Sequence, residues 1–158
     1  MERLVKFEWP FNPADVIVPP RGEFGPRLPL GAPEGLPGAA SDLEQHDGID
    51  LNAPAGAIVR AAAAGVVTLL RVDGEDDEGE GNAVWLRHSE AFQTRYLHLD
   101  SVLVEHDQVV ELGQPIGTVG QTGNAPAPHL CFLTLVAGRA FNPRTFMRDR
   151  AREETTRD

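Results

Sequence analysis

HLCFLTLV, residues 129–136, is the stretch whose reading decides the fold. With a side-chain period of two, His129, Cys131, Leu133 and Leu135 share one face, and Leu130, Phe132, Thr134 and Val136 share the other. Outward from it lie further short apolar stretches at Ala57 to Ala62, Val66 to Val72, Ala83 to His88, Thr94 to Leu99 and Ile116 to Val119, punctuated by 16 Gly and 13 Pro across the chain. Short strands joined by tight turns predict an all-β, mainly antiparallel domain: a β-sandwich or a folded sheet with long loops. A local echo, GAIVRAAAAGVV after Ala55 and DQVVELGQPIGTVG from Asp107, places a β stretch against a Gly turn twice. It suggests two similar half-motifs packed together, a duplicated hybrid motif, although no fixed period makes it a true repeat.

At 158 residues the chain fits one domain with one core. The stretch from Arg21 to Gln45, dense in Pro and Gly, reads as a long surface loop, either a binding or lid segment or plain disorder. The acidic run Asp73 to Glu80 reads as a solvated hairpin tip, without the spaced ligands of a calcium loop. The tail from Arg148 is charged throughout and reads as a frayed end or short exposed helix.

Bulk chemistry excludes several classes. A net charge of -10 disfavours nucleic acid and anionic lipid as partners, and no apolar run approaches the ~18 residues of a membrane span. The start, MERLVKFEWP, carries charges where a secretory signal would carry its apolar stretch, so no signal peptide is read in this chain. A single cysteine rules out an intrachain disulfide, leaving Cys131 as buried packing, a reactive thiol or a metal ligand.

Five residues could gather into one metal-type site: His46, Asp50, His98, His129 and Cys131. In QHDGIDL, Asp47-Gly48 before Ile49 and Leu51 reads as a turn running into a strand. Fully extended, the four residues from His46 to Asp50 would span about 13 Å, too far to share one ion, and a bend at Gly48 would correct this. A surface histidine beside an unrelated aspartate is the plain alternative. His129 and Cys131 are neighbours on one strand face, and in TRYLHLD the same period puts Tyr96, His98 and Asp100 together. His88 and His106 have no partner pattern and read as non-ligands.

FGPR at Phe24 to Arg27, the His46/Asp50 segment with APAGAIVRAAAAGVV, YLHL around His98, VELGQPIGTVGQTG, PHLCF around His129 and FNP at Phe141 to Pro143 occur in one order. This ordered set resembles the lysostaphin and LytM-type zinc endopeptidases that cut peptidoglycan peptides. The resemblance covers roughly Phe24 to Met147. It implies an N-terminal extension at 1–23, a peptidase domain at 24–147 and a charged tail at 148–158. It also implies that His46 and Asp50 are zinc ligands and that His98 and His129 are the two catalytic, non-ligand histidines. The third ligand falls on Cys131, where the family carries histidine. Further departures are Ala125-Pro126-Ala127 in place of small polar and Gly residues, and Leu133 where an acidic residue is common.

Thiolate is a sound zinc ligand, but its sulfur falls short of the reach of an imidazole Nε2, so a small inward strand shift is expected. Ligation by His, Asp and Cys leaves zinc neutral where two His and one Asp leave it at net +1. A neutral centre is a weaker Lewis acid and implies a slower enzyme near neutral pH. The alternative reading is a catalytically inactive, metal-poor domain that binds peptidoglycan or regulates its hydrolysis. A lipoyl or biotinyl carrier is excluded because the sole lysine is Lys6, and a phosphocarrier would not require the His46/Asp50 pair. The implied partners are peptidoglycan peptides. Without a signal, delivery to the cell wall would fall to a phage or phage-tail-like particle, an omitted signal being the simpler rival.

Overall fold

Strands form where β-branched and aromatic residues fill the intervals between Gly and Pro breaks. The computed structural model describes residues 7–11, 18, 22–27, 44–72, 79–123, 125 and 127–147. Within them run β1 (Gly25–Arg27), β2 (Glu44–His46), β3 (Ile49–Asn52), β4 (Ile58–Arg60), β5 (Gly65–Arg71), β6 (Asn82–Arg87), β7 (Phe92–Val102), β8 (Val109–Val110), β9 (Pro115–Val119), β10 (His129–Val136) and β11 (Arg139–Phe141), then a 3-10 turn at Pro143–Thr145. Every pairing between these strands is antiparallel. A β1-β2 ribbon accompanies a nine-stranded sheet with the path β11-β10-β7-β6-β5-β8; β3 joins β10, and β9 joins both β7 and β4. The protein is all-β, and of the two predicted architectures it adopts the folded sheet. No helix among the described residues is long and apolar enough to cross a membrane.

The sheet folds across β7. One part of this strand pairs with β6 and β10, and its far end pairs with β9. Val59, Ile116 and Val119 of β4 and β9 thereby join Ile49, Leu51, Tyr96, Leu99, Leu130 and Phe132 in one cluster, all nine fully buried. Burying each such side chain is worth roughly 1.5–3 kcal/mol, so this cluster fixes the fold angle. The two echo segments clasp each other, β4 on β9 and β5 on β8. Phe7, inside the stretch expected to be an extension, packs in this core against Phe92 and Phe146.

β10 has the two faces its alternation predicts. Leu130 and Phe132 enter the main core, while Cys131 and Leu133 meet Ala83, Leu97 and Trp85 in a smaller cluster on the opposite face. The sheet thus has a core face and a second face that carries the candidate site.

Three expectations need correction. The Arg21 to Gln45 stretch is not loop throughout, because Gly25–Arg27 and Glu44–His46 pair as β1 and β2; residues 28–43 lie outside the described residues. Tyr96 and His98 do not share a face. Tyr96 lies in the core against Phe132, whereas His98 has φ 66° and turns to the other face. The register explains this: Asn82 pairs Leu99 but Val84 pairs Tyr96, so β7 carries one extra residue, a bulge. Finally, Glu80 is not merely solvated. It accepts from Trp85 Nε1 at 2.9 Å and pairs with Arg71 at 3.4 Å, and its carbonyl receives the His98 amide at 2.9 Å. Residues 73–78 of the acidic run and the tail from 148 lie outside the described residues.

Candidate metal centre

The chain bends at Asp47 and Gly48 between β2 and β3, as a shared ion would require. His46 Nε2 then lies 3.2 Å from Asp50 Oδ1. The bend depends on glycine, because a Cβ at position 48 would stand 2.7 Å from the Phe132 carbonyl oxygen. Antiparallel register sets Asp50 of β3 opposite Cys131 of β10, which in turn faces Leu97 of β7. Cys131 Sγ lies 3.6 Å from His46 Nε2, and the ligand atoms of His46, Asp50 and Cys131 all fall within 4.8 Å of one another. Among the described residues this is the one such group of His, Cys, Asp or Glu side chains.

These spacings fit an ion. Tetrahedral zinc with Zn–N and Zn–O near 2.0–2.1 Å and Zn–S near 2.3 Å separates an N,O pair by about 3.3 Å and an N,S pair by about 3.6 Å. The cysteine sulfur therefore reaches the ligand row.

His98 and His129 lie beside this row without joining it. Their ring centroids are 4.9 Å apart, and His129 Nε2 is 3.4 Å from Asp50 Oδ1. The three histidines share one orientation. Nδ1 of His46 donates to the Glu23 carbonyl at 2.9 Å, Nδ1 of His98 to that of Thr122 at 2.8 Å, and Nδ1 of His129 to that of Ala127 at 2.8 Å. A carbonyl can only accept, so the proton of each neutral ring sits on Nδ1 and the Nε2 lone pair is the one left for the site. The supports are themselves held. Glu23 receives two bonds from Arg144, at 3.0 and 2.7 Å, and the Gly22 carbonyl receives the Asp50 amide at 2.8 Å.

Electrostatics separate these groups. Burial works to raise the Asp50 carboxyl, but hydrogen bonds and charge from His129 and His46 in their Nε2-protonated forms outweigh it and hold the group well below the usual carboxylate range. Burial pushes His98 below the ordinary histidine value, against its bond to Thr122, so it is neutral near neutral pH. His88 and His106 stand apart: His88 bonds the Ala64 carbonyl and the Thr94 hydroxyl, and His106 pairs with Asp107 in solvent.

Sequence reasoning missed Thr122. Its hydroxyl accepts the Asn82 amide at 2.9 Å and donates to the Leu99 carbonyl at 2.8 Å, tying both sides of the bulge that turns His98. Gly81 allows the contact, since a Cβ there would overlap the Thr122 main chain. Trp85 and Arg95 were missed too. Only their parity, two residues from Ala83 and Leu97 on the site face, could have marked them.

Residues 44–143 match Peptidase family M23. The chain is 40% identical over 113 residues to the peptidoglycan DD-endopeptidase ShyC of Vibrio cholerae, which covers 72% of this chain and 25% of that protein. It spans about a quarter of that relative's length. A zinc-containing peptidase from Vibrio cholerae superposes with TM-score 0.72 at 30% identity, covering 87% of this chain and 39% of that one. The catalytic domain of lysostaphin from Staphylococcus simulans gives TM-score 0.63 at 30% identity, covering 78% and 87%. With its sheet and histidine-rich row arranged as described, and with the match spanning both edges of that row, the chain belongs to Peptidase family M23.

Proposed function

We propose that the chain is a zinc-dependent endopeptidase that hydrolyses peptide bonds of bacterial peptidoglycan, with Cys131 as its third metal ligand. The observation that carries this reading is the ligand-row geometry: His46 Nε2 stands 3.2 Å from Asp50 Oδ1 and 3.6 Å from Cys131 Sγ. The names of the relatives supply the substrate class. His46, Asp50 and Cys131 would hold the ion, which supplies Lewis acidity and a more acidic water when bound.

The chain's own residues do the rest. His98, buried and neutral with Nε2 free, is the group suited to take a proton from the attacking water. His129 has its Nδ1 proton committed to Ala127, so it can donate to a developing oxyanion only once Nε2 is also protonated. Asp50 Oδ1 lies 3.4 Å from that nitrogen. Exchanging imidazole for thiolate neutralises the centre, and slower turnover than in a variant with Cys131→His is the expected consequence.

Metal analysis of the purified chain, followed by incubation with purified wall material with and without chelator, tests the reading. Stoichiometric zinc and chelator-sensitive peptide release are expected. Chelator-insensitive sedimentation with no release would replace the enzyme by a binding domain. Absence of zinc that Cys131→His does not restore would remove the metal centre.

A further inference from the structure

Beside the ligand row the site face holds a cation, Arg95, whose buried Nε has no hydrogen-bond partner among the described residues. Arg95 of β7 pairs in register with Leu133 of β10 on one side and Trp85 of β6 on the other. It is two residues before Leu97, which faces Cys131. Two residues of strand rise about 7 Å, so the Arg95 row runs alongside the metal row at the length of two residues of an extended peptide.

The Arg95 guanidinium carbon lies 3.5 Å from the centre of the Trp85 ring, a cation–π contact. Its Nε is buried, and none of the described residues hydrogen-bonds to it. The nearby acid is engaged elsewhere: the two Glu80 oxygens meet Trp85 Nε1 and Arg71, and reach Arg95 only through longer-range attraction. Below the guanidinium the face is apolar, with Leu97, Leu133 and Trp85. A planar fork seated over an aromatic ring, half-buried and with no carboxylate in hydrogen-bond contact among the described residues, is an incomplete ion pair.

We propose that Arg95, seated on Trp85, is a specificity-determining residue that binds a carboxylate of the substrate peptide about two residues from the scissile bond. This rests on the endopeptidase reading above, and it narrows the substrate from peptides in general to acidic ones. Leu133 accords with it. An acidic side chain at that position would stand opposite Arg95 and compete for the same fork, whereas leucine leaves it open.

The test compares cross-linked peptidoglycan peptide dimers bearing free carboxylates with the same dimers after amidation. The wild-type chain should lose roughly ten- to hundredfold in kcat/KM on amidation, the value of a charge-assisted bond, with the loss mainly in KM. Arg95→Gln should cleave the free-acid dimers that much more slowly and show no dependence on amidation. Arg95→Lys keeps the charge without the fork and should retain part of the discrimination. Zinc content and the thermal transition of both variants serve as readouts that the site and fold persist. Equal wild-type rates on the two dimers, or an Arg95→Gln chain that still prefers the free acid, would overturn the proposal while leaving the endopeptidase reading intact. Dimers neither cleaved nor bound by the wild type would overturn both.

Discussion

Cys131→Ala removes one of the three proposed donors, so its effect on zinc-linked stability can be worked out in advance. The sulfur lies 3.6 Å from His46 Nε2, the spacing of two atoms on one tetrahedral ion. Structural zinc sites bind with about 10–16 kcal/mol across four ligands, or roughly 2.5–4 kcal/mol per ligand, about two to three orders of magnitude in affinity. For the wild type in zinc at about 100 times its Kd, binding adds roughly 2.7 kcal/mol of stability. At about 2–4 °C per kcal/mol for a domain of this size, that is a shift of roughly 5–11 °C. If truncation weakens binding about a hundredfold, the same zinc stands near the new Kd and adds only about 0.4 kcal/mol, or roughly 1–2 °C. Thermal unfolding with zinc and with chelator measures both differences. Packing lost from the small cluster around Cys131 is common to the two conditions and cancels. A Cys131→Ala chain whose zinc shift matches the wild type would show that the sulfur is not a ligand.

Two further outcomes follow from the surroundings of the site. Thr122→Val preserves shape but strips partners from the buried Asn82 amide and Leu99 carbonyl, at about 1–3 kcal/mol for each group. A fall of about 1–2 M in the urea midpoint is expected for Thr122→Val and almost none for Thr122→Ser, and equal midpoints would refute the buttress. Burial lowers His88 below the ordinary histidine value despite its bond to the Ala64 carbonyl. Above a pH of about 6.5 both states leave it neutral; as pH falls through that value the unfolded chain protonates first, so this contribution to stability declines. Urea midpoints at several pH values between about 5 and 7.5 should therefore slope upward with pH less steeply in His88→Gln than in the wild type; parallel slopes would exclude the linkage.

What the sequence discloses here is side-chain identity and strand period. HLCFLTLV reads directly as β10, whereas His46, Asp50 and Cys131 are isolated ligand-type residues that only the resemblance of the ordered motifs to a zinc endopeptidase family marks as one set. Strand ends are less legible. Period two gives Thr94 to Leu99, while the pairing partners of β7 carry it from Phe92 to Val102. The β1-β2 ribbon is illegible among prolines and glycines, since its pairing joins residues far apart in the chain.

The orientation of His98 is the clearest case of information that arises only in three dimensions. Strict alternation would place it with Tyr96 in the core, and nothing local in YLHL announces a positive φ. Such a backbone costs on the order of 1–3 kcal/mol and persists only when its surroundings over-determine it. Here they do. The Glu80 carbonyl takes the His98 amide, the Thr122 carbonyl takes Nδ1, and the Thr122 hydroxyl bridges Asn82 to Leu99. His46 and His129 are set by the same kind of partner, a main-chain carbonyl that carries no sequence signature. The donor row and its orienting shell are therefore separable. The carbonyls fix each imidazole whatever stands at position 131, so a histidine-to-cysteine change can alter the charge of the proposed centre while His46 and both neighbouring histidines keep their tautomers and aim.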